Sequence, residues 1–305
     1  MRFRTAIANV SLLTKIIRAL SALAKTCVIQ LSQEQLRFIV PGHESATGVQ
    51  VWSQVKTGTL FEGYRIESNM NNEIWVEVNL DALHRVLKSA DTAVGDGKSE
   101  AFLSDAEVTL KLGKNNSQPI WSFGVRGYTA TRKQMCITHE INVKILSARR
   151  QQELEEPLCP QPDIHVILPN LLDLRNVVAR MGHLGDDMEV SANHEGKLEL
   201  SVKGGAVNLA TTWKELRLPS VNGESSFYPE GEEVTPPPAP PDSQMFSTTV
   251  TVKGLLKFLT SHCISQDAIM CICEDHCVIT YVYIGPIEDA EGVLTFYIPG
   301  KVKGN

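Results

Sequence analysis

The sequence predicts an α+β protein in which one arrangement is built twice. Three observations carry this. Amphipathic helical stretches at 10–25 and 170–181 are each followed by strand, tight turn and strand, about 160 residues apart. A second pair, 77–87 (EVNLDALHRVL) and 249–259 (TVTVKGLLKFL), aligns Leu83 with Leu255, Arg85 with Lys257 and Leu87 with Leu259. Between the copies, 146–162 (LSARRQQELEEPLCPQP) turns to charge and proline with no apolar period, the composition of a linker. The division is therefore 1–145, a linker at 146–162, and 163–305.

In the first helix Leu12, Leu13, Ile16, Ile17, Leu20 and Leu23 recur on one face. Lys15, Arg18 and Lys25 occupy the other, with no acid among them. Strands at 26–31 and 36–40 flank a Ser-Gln-Glu-Gln turn, 41–48 is a loop, and 49–54 resumes extended structure. At 73–78, Ile74, Val76 and Val78 alternate with polar positions that include Glu73 and Glu77, a half-buried strand. It leads into a helix at 79–90 with Leu80, Leu83 and Leu87 inside and Arg85 and Lys88 outside. Strands follow at 101–112, 120–125 and 138–145.

In the second copy the helix at 170–181 buries Leu171, Leu174, Val178 and Met181. Strands at 188–192 and 197–202 flank the turn Asn193-His194-Glu195-Gly196. The helix at 249–259 buries Val252, Leu255, Leu256 and Leu259, and strands run from 268 to the end. Within this copy, 218–243 holds five acids, no Lys or Arg, and the run PPPAPP, which reads as a disordered, inert surface spacer.

Composition narrows the function. Charged residues interrupt every apolar run before it could span a bilayer, so no membrane association is expected. Residues 1–33 lack acids and are amphipathic, also the look of a mitochondrial targeting peptide, but their recurrence as a repeat argues for a place in the fold. The seven cysteines are odd in number and scattered, which suggests a reducing compartment. Cys271, Cys273, Cys277, His262, Cys263 and His276 raise the possibility of zinc. No CxxC pair is present, however, and packed thiols are the simpler reading. HExxH, P-loop and GxSxG are missing, and no nucleophile is placed with a base, so neither an enzyme nor a cofactor is expected.

Charge is the positive signal. The four helices carry Lys15, Arg18, Lys25, Arg85, Lys88, Arg175, Arg180, Lys253 and Lys257 against Asp81 and Asp173, in a chain whose formal net charge is −6. One cationic helix is ordinary; four at corresponding positions imply a surface suited to a phosphate backbone. No aromatic residues interleave, so base stacking is not implied and binding is expected to ignore sequence.

The segments MRFRTAI, LAKTC, NNEIWVEVNLDALHRVLKSA, HEINVKIL, EEPLCPQPDIHVILP and FYIP, in this order and spacing, resemble the sliding DNA clamps, the family of proliferating cell nuclear antigen. Within it the chain most resembles the Hus subunit of the heterotrimeric nine-one-one checkpoint clamp. The resemblance implies a DNA-clamp fold: two similar domains, each with two helices packed on curved antiparallel sheets. It implies a nuclear ring with two other clamp-like subunits, opened by a clamp-loader ATPase, that encircles duplex DNA and recruits checkpoint and repair client proteins. A homotrimeric replication clamp is the alternative, against which HEINVKIL and EEPLCPQP speak. The implied DNA-facing residues are Lys15, Arg18, Lys25, Arg85, Lys88, Arg180, Lys253 and Lys257. The implied subunit edges hold Glu140, Ile141, Val143 and Ile145, and Ala206, Val207, Leu209 and Thr211. The implied client pocket gathers Val40, Pro41, Leu154, Tyr297 and Pro299.

Overall fold

A computed structural model describes residues 1–94, 103–205, 207–219 and 241–301. Ala206, the first residues of the strand read at 101–112 and most of the 218–243 segment lie outside the described residues.

The first half runs β1 (Arg2–Ile7), α1 (Val10–Ser21), β2 (Thr26–Leu31), β3 (Gln35–Val40), β4 (Gln50–Lys56), α2 (Thr57–Leu60), β5 (Phe61–Glu67), β6 (Ile74–Asn79), α3 (Leu80–Val94), β7 (Ser104–Asn115), β8 (Gln118–Tyr128) and β9 (Gln134–Ile145). The linker holds one short helix, α4 (Ala148–Gln152). The second half runs β10 (Ile164–Ile167), α5 (Leu171–Met181), β11 (Asp187–Ala192), β12 (Leu198–Lys203), β13 (Asn208–Trp213), β14 (Phe246–Thr251), α6 (Val252–Phe258), β15 (Ala268–Cys273), β16 (Cys277–Ile284) and β17 (Gly292–Pro299). A 3₁₀ turn, Leu259–Cys263, continues α6.

Both copies start their second helix in the same way. The side chain of Asn79 accepts the Ala82 amide at 2.9 Å, and that of Thr251 accepts the Gly254 amide at 3.1 Å. These two positions coincide in the sequence alignment, and each ends a strand. The stretch read as helix at 249–259 therefore begins as strand, because Thr249, Val250 and Thr251 are β-branched. The first helix is also shorter than its periodicity suggested. The chain turns at Ala22, where the Leu23 and Ala24 amides both reach the Leu20 carbonyl. No glycine or proline announces that stop. Lys25 is thus off the helix, exposed in the turn before β2, with its carbonyl accepting the Leu80 amide at 2.8 Å.

The strands form a thirteen-stranded sheet, β10-β15-β16-β17-β4-β3-β2-β6-β9-β8-β7-β1-β5, and a four-stranded sheet, β13-β12-β11-β14, with every pairing antiparallel. The large sheet crosses between the halves where β17 pairs with β4, from Gly292 opposite Val55 to Tyr297 opposite Gln50. All the longer helices lie on one side. α1 packs against α3 and against the 3₁₀ turn, and α5 packs against α6 and the same turn. Their apolar faces and the inward positions of the strands form one continuous core, in which Ile16, Ile17, Leu20, Leu87, Val178 and Leu255 are fully buried. The amphipathic stretch near the start of the chain is thus an integral helix of the fold.

Candidate nucleic-acid interface

α3 packs against α1 and α6 against α5, and the 3₁₀ turn that continues α6 packs against both α1 and α5. Asn9 caps α1 by accepting the Leu12 amide at 2.9 Å, and Asn170 caps α5 by accepting the amides of Leu172 and Asp173. With Ile16, Ile17 and Leu20 turned into the core, Lys15 and Arg18 can only face outward. Arg85 and Lys88 are likewise fixed by Leu83, Val86 and Leu87. Arg180 and Lys253 are exposed in the second half.

The crowding of positive charge registers on neighbouring groups. His84 is held below its ordinary pKa by partial burial and then by the charges of Arg18 and Lys88, against the opposing effect of Asp81. Cys263 is pushed up by burial, while the charges of Arg18 and Lys15 pull it down. Arg18 thus stands within electrostatic reach of both α3 and the 3₁₀ turn. Among the described residues none of Lys15, Arg18, Lys25, Arg85, Lys88, Arg180 and Lys253 makes an ion pair. Such pairs occur instead on the sheets and linker, as in Lys144–Glu77 at 3.6 Å and Arg150–Glu153 at 3.0 Å. Arg85 is steadied by donating from Nε to the Asp81 carbonyl at 3.2 Å.

Lys257 departs from this pattern. It is half-buried, and its Nζ donates to the carbonyl of Leu23 at 3.3 Å, across the junction of the halves. Leu23 lies just past the end of α1, where carbonyls run out of intrahelical partners and favour a cation. Arg175 is half-buried too, with Nε lacking a hydrogen-bond partner among the described residues.

Among the described residues, β13 and part of β9 each have an open edge. Among the described residues β13 pairs only with β12; Val207 just before it and Leu209 within it are 54% and 39% exposed, and Thr211 is turned toward Met181 of α5. β9 changes neighbours along its length. Its C-terminal end pairs with β6, with Val143 opposite Val78 and Ile145 opposite Val76, so these two positions are not free. Ile141 and Val143 are buried, whereas Glu140 is exposed and accepts from Asn115 at 3.2 Å. Residues 134–142 pair with β8 on one side and have an open second side among the described residues. Of the residues expected at this edge, Glu140 and Ile141 lie on the open stretch, whereas Val143 and Ile145 are paired with β6. β17 behaves as β9 does: it ends against β14 through a Val250–Gly300 bridge and pairs with β4 upstream. β4 and β13 are each the third strand after the first helix of their copy, so β4 corresponds to β13 as β17 does to β9.

Under the linker a cleft of about 420 Å³ is lined by Pro41, His43, Gln50, Trp52, Leu154 and Pro299, among others. Val40 is 0% exposed and contributes to the core instead, because strand alternation turns it inward. Tyr297 is also outside the cleft, its hydroxyl donating to Glu156 at 2.6 Å. Trp52 was missed. The period of the strand at 49–54 carried the signal, since Val51 and Ser53 are buried and Trp52 lies on the opposite face. The four cysteines that raised the possibility of zinc split between two places. Cys263 lies against α1, whereas Cys271, Cys273 and Cys277 pack under the linker, where Cys273 donates to the Pro160 carbonyl at 3.5 Å. Burial pushes the Cys271 thiol up to about 12. Among the described residues no group of three or more His, Cys, Asp or Glu side chains is arranged to hold a metal ion, and no helix is long and apolar enough to cross a membrane.

The family model for Hus1-like proteins matches residues 1–302. The chain belongs to the Hus1-like family. It is 32% identical to the checkpoint protein hus1 of Schizosaccharomyces pombe over 301 residues, covering 98% of both chains. It is 26% identical to the human checkpoint protein HUS1 over 276 residues, covering 89% of this chain and 90% of that one. Among solved structures it is similar to the proliferating cellular nuclear antigen of Entamoeba histolytica, with a TM-score of 0.67, 14% identity and 98% of each chain covered. At that identity the likeness establishes the clamp fold, with few helices packed on large antiparallel sheets.

Proposed function

We propose that this chain is a non-catalytic subunit of a heterotrimeric checkpoint clamp that encircles duplex DNA in the nucleus. The observation that carries the proposal is the single helix surface whose exposed cations lack ion-pair partners among the described residues, in a chain of net charge −6. Such a surface meets phosphates with lysine and arginine and offers no aromatic platform, so it holds DNA while letting it slide. Lys15, Arg18, Arg85 and Lys88 are its centre, with Lys25, Arg180 and Lys253 at its margins. Kinship with checkpoint proteins over the whole chain favours this reading over a homotrimeric replication clamp.

In this reading β13 of one subunit pairs with residues 134–142 on β9 of the next, copying the in-chain β17–β4 junction. Two open edges on different elements form head-to-tail contacts, which close into a ring when the rotation allows. The cleft around Pro41, Trp52, Leu154 and Pro299 receives client proteins. ATP is consumed by a separate loader. The test is the native mass of the tagged chain recovered from nuclear extract. A one-to-one-to-one assembly with two other clamp-like chains is expected. A trimer of this chain alone supports the replication type, and a monomer that ignores DNA and loader contradicts both. Val207→Glu with Leu209→Glu is expected to lower assembly roughly tenfold or more while leaving the monomer fold intact, since both side chains are exposed.

A further inference from the structure

The sheet face turned away from the helices carries a charge pattern that the clamp reading does not use. In β1, Phe3, Thr5 and Ile7 are buried toward the core while Arg2 and Arg4 are exposed on the other face. Arg4 sits directly opposite Arg65 of β5 on one side and Lys111 of β7 on the other. Three cations in one row across three adjacent strands repel one another. Among the described residues none of the three makes an ion pair. Two positions away, Arg2 stands opposite Glu67, the pairing that charge alone would select. An edge strand needs only charges of its own to deter unwanted pairing, and this row runs two strands inward.

β5 is the terminal strand of the thirteen-stranded sheet and pairs only with β1, so among the described residues its second side is open. A register shift between Arg4 and Ala6 accompanies Gly63, whose φ of 58° suits glycine. Around this irregularity lies a cleft of about 420 Å³ bounded by Arg4, Arg65, Glu62, Glu107, Thr5 and Gly63. Along β5, Tyr64 and Ile66 are half-buried, and the Tyr64 hydroxyl is buried without a hydrogen-bond partner among the described residues.

We propose that this edge binds an extended peptide with acidic or phosphorylated residues at alternate positions, added as a further strand beside β5. Its amides pair with the open side of Phe61–Glu67. Its anionic side chains stand next to Arg65 and complete the row through Arg4 to Lys111, and its apolar side chains cover Tyr64 and Ile66. Duplex DNA fits less well. Glu62, Glu67 and Glu107 interrupt the cations and repel a continuous phosphate backbone, and DNA has no amide edge to pair. The site is on the opposite sheet face from the helices and does not rest on their role.

The test uses the full chain and a dye-labelled peptide alternating phosphoserine with valine, read by fluorescence anisotropy. Binding is expected to weaken roughly tenfold or more when Arg4→Glu and Lys111→Glu are combined, and to fall with added salt. With the unaltered protein, N-methylating alternate residues of the peptide is expected to abolish binding in one phase and spare it in the other, because a strand offers its amides to one edge at every second residue. Equal effects of the two phases would overturn strand addition. No binding at millimolar peptide would overturn the site, and displacement of the peptide by a short DNA duplex would make the face a nucleic-acid surface instead.

Discussion

The two halves share topology but not electrostatics. In the first, α1 and α3 are 12 and 15 residues long and present Lys15, Arg18, Arg85 and Lys88 to solvent without ion pairs among the described residues. In the second, α5 and α6 are 11 and 7 residues long, and two of their cations are diverted. Lys257 is spent on the Leu23 carbonyl, and Arg175 is half-buried. Equivalent positions, such as Arg85 and Lys257, thus differ: Arg85 is exposed and bonded within its own helix, while Lys257 ties the halves together. A duplicated framework constrains where a helix lies far more than what its polar face does.

The sharpest way to break this comparison is to neutralise each half separately. Changing Lys15, Arg18, Arg85 and Lys88 to Gln should reduce the slope of log affinity against log salt by about 3 to 4 on duplex DNA. Changing Arg180 and Lys253 to Gln should reduce it by about 2 at most. Equal slopes for the two variants would dissolve the distinction between the halves. Lys257→Met tests the next point. It should cost about 1 to 2 kcal/mol of stability by urea unfolding, through loss of a charged hydrogen bond, while moving the salt slope by less than about 0.5. A slope change as large as that of Arg85→Gln would return Lys257 to the DNA surface.

The smallest effect concerns His84. In the free chain the imidazole should titrate below its ordinary value of about 6.5, because burial and the charges of Arg18 and Lys88 favour the neutral form. Since the unfolded chain holds the proton more readily, this group's contribution is fully present above that ordinary value. It is lost as pH falls through the depressed native one. Phosphates at the surface should raise the native value, so DNA affinity should gain modestly as pH falls through that window. NMR titration of the ring with and without duplex measures both, and an unshifted pKa on binding would remove His84 from the surface.

Much of this was legible in the sequence because core-facing periodicity is strong. Leu171, Leu174, Val178 and Met181 mark α5 to within a residue, and the 77–87 and 249–259 alignment pairs the capping positions Asn79 and Thr251. What failed were features fixed by neighbours. The end of α1 is set by how Leu23 and Ala24 fold back on Leu20, and no local residue signals it. Lys257 looked like its partner Arg85 because periodicity reports which face a residue occupies and is blind to a carbonyl in a turn from the other half. The pairing of Val143 and Ile145 with β6 escaped the sequence for the same reason, since a strand's own pattern does not say where its neighbour stops. Val40 and Tyr297 were assigned to the client cleft by resemblance, and simple strand alternation would have turned Val40 inward.

The central claim is that the cationic helix surface holds DNA inside a closed ring. The most direct measurement loads the purified assembly onto a nicked circular plasmid and follows retention before and after a single restriction cut. Complexes are expected to stay on the circle at high salt and to leave once the DNA is linear, sliding off the ends. Loss at the same rate from both forms would show that the chain binds DNA without encircling it.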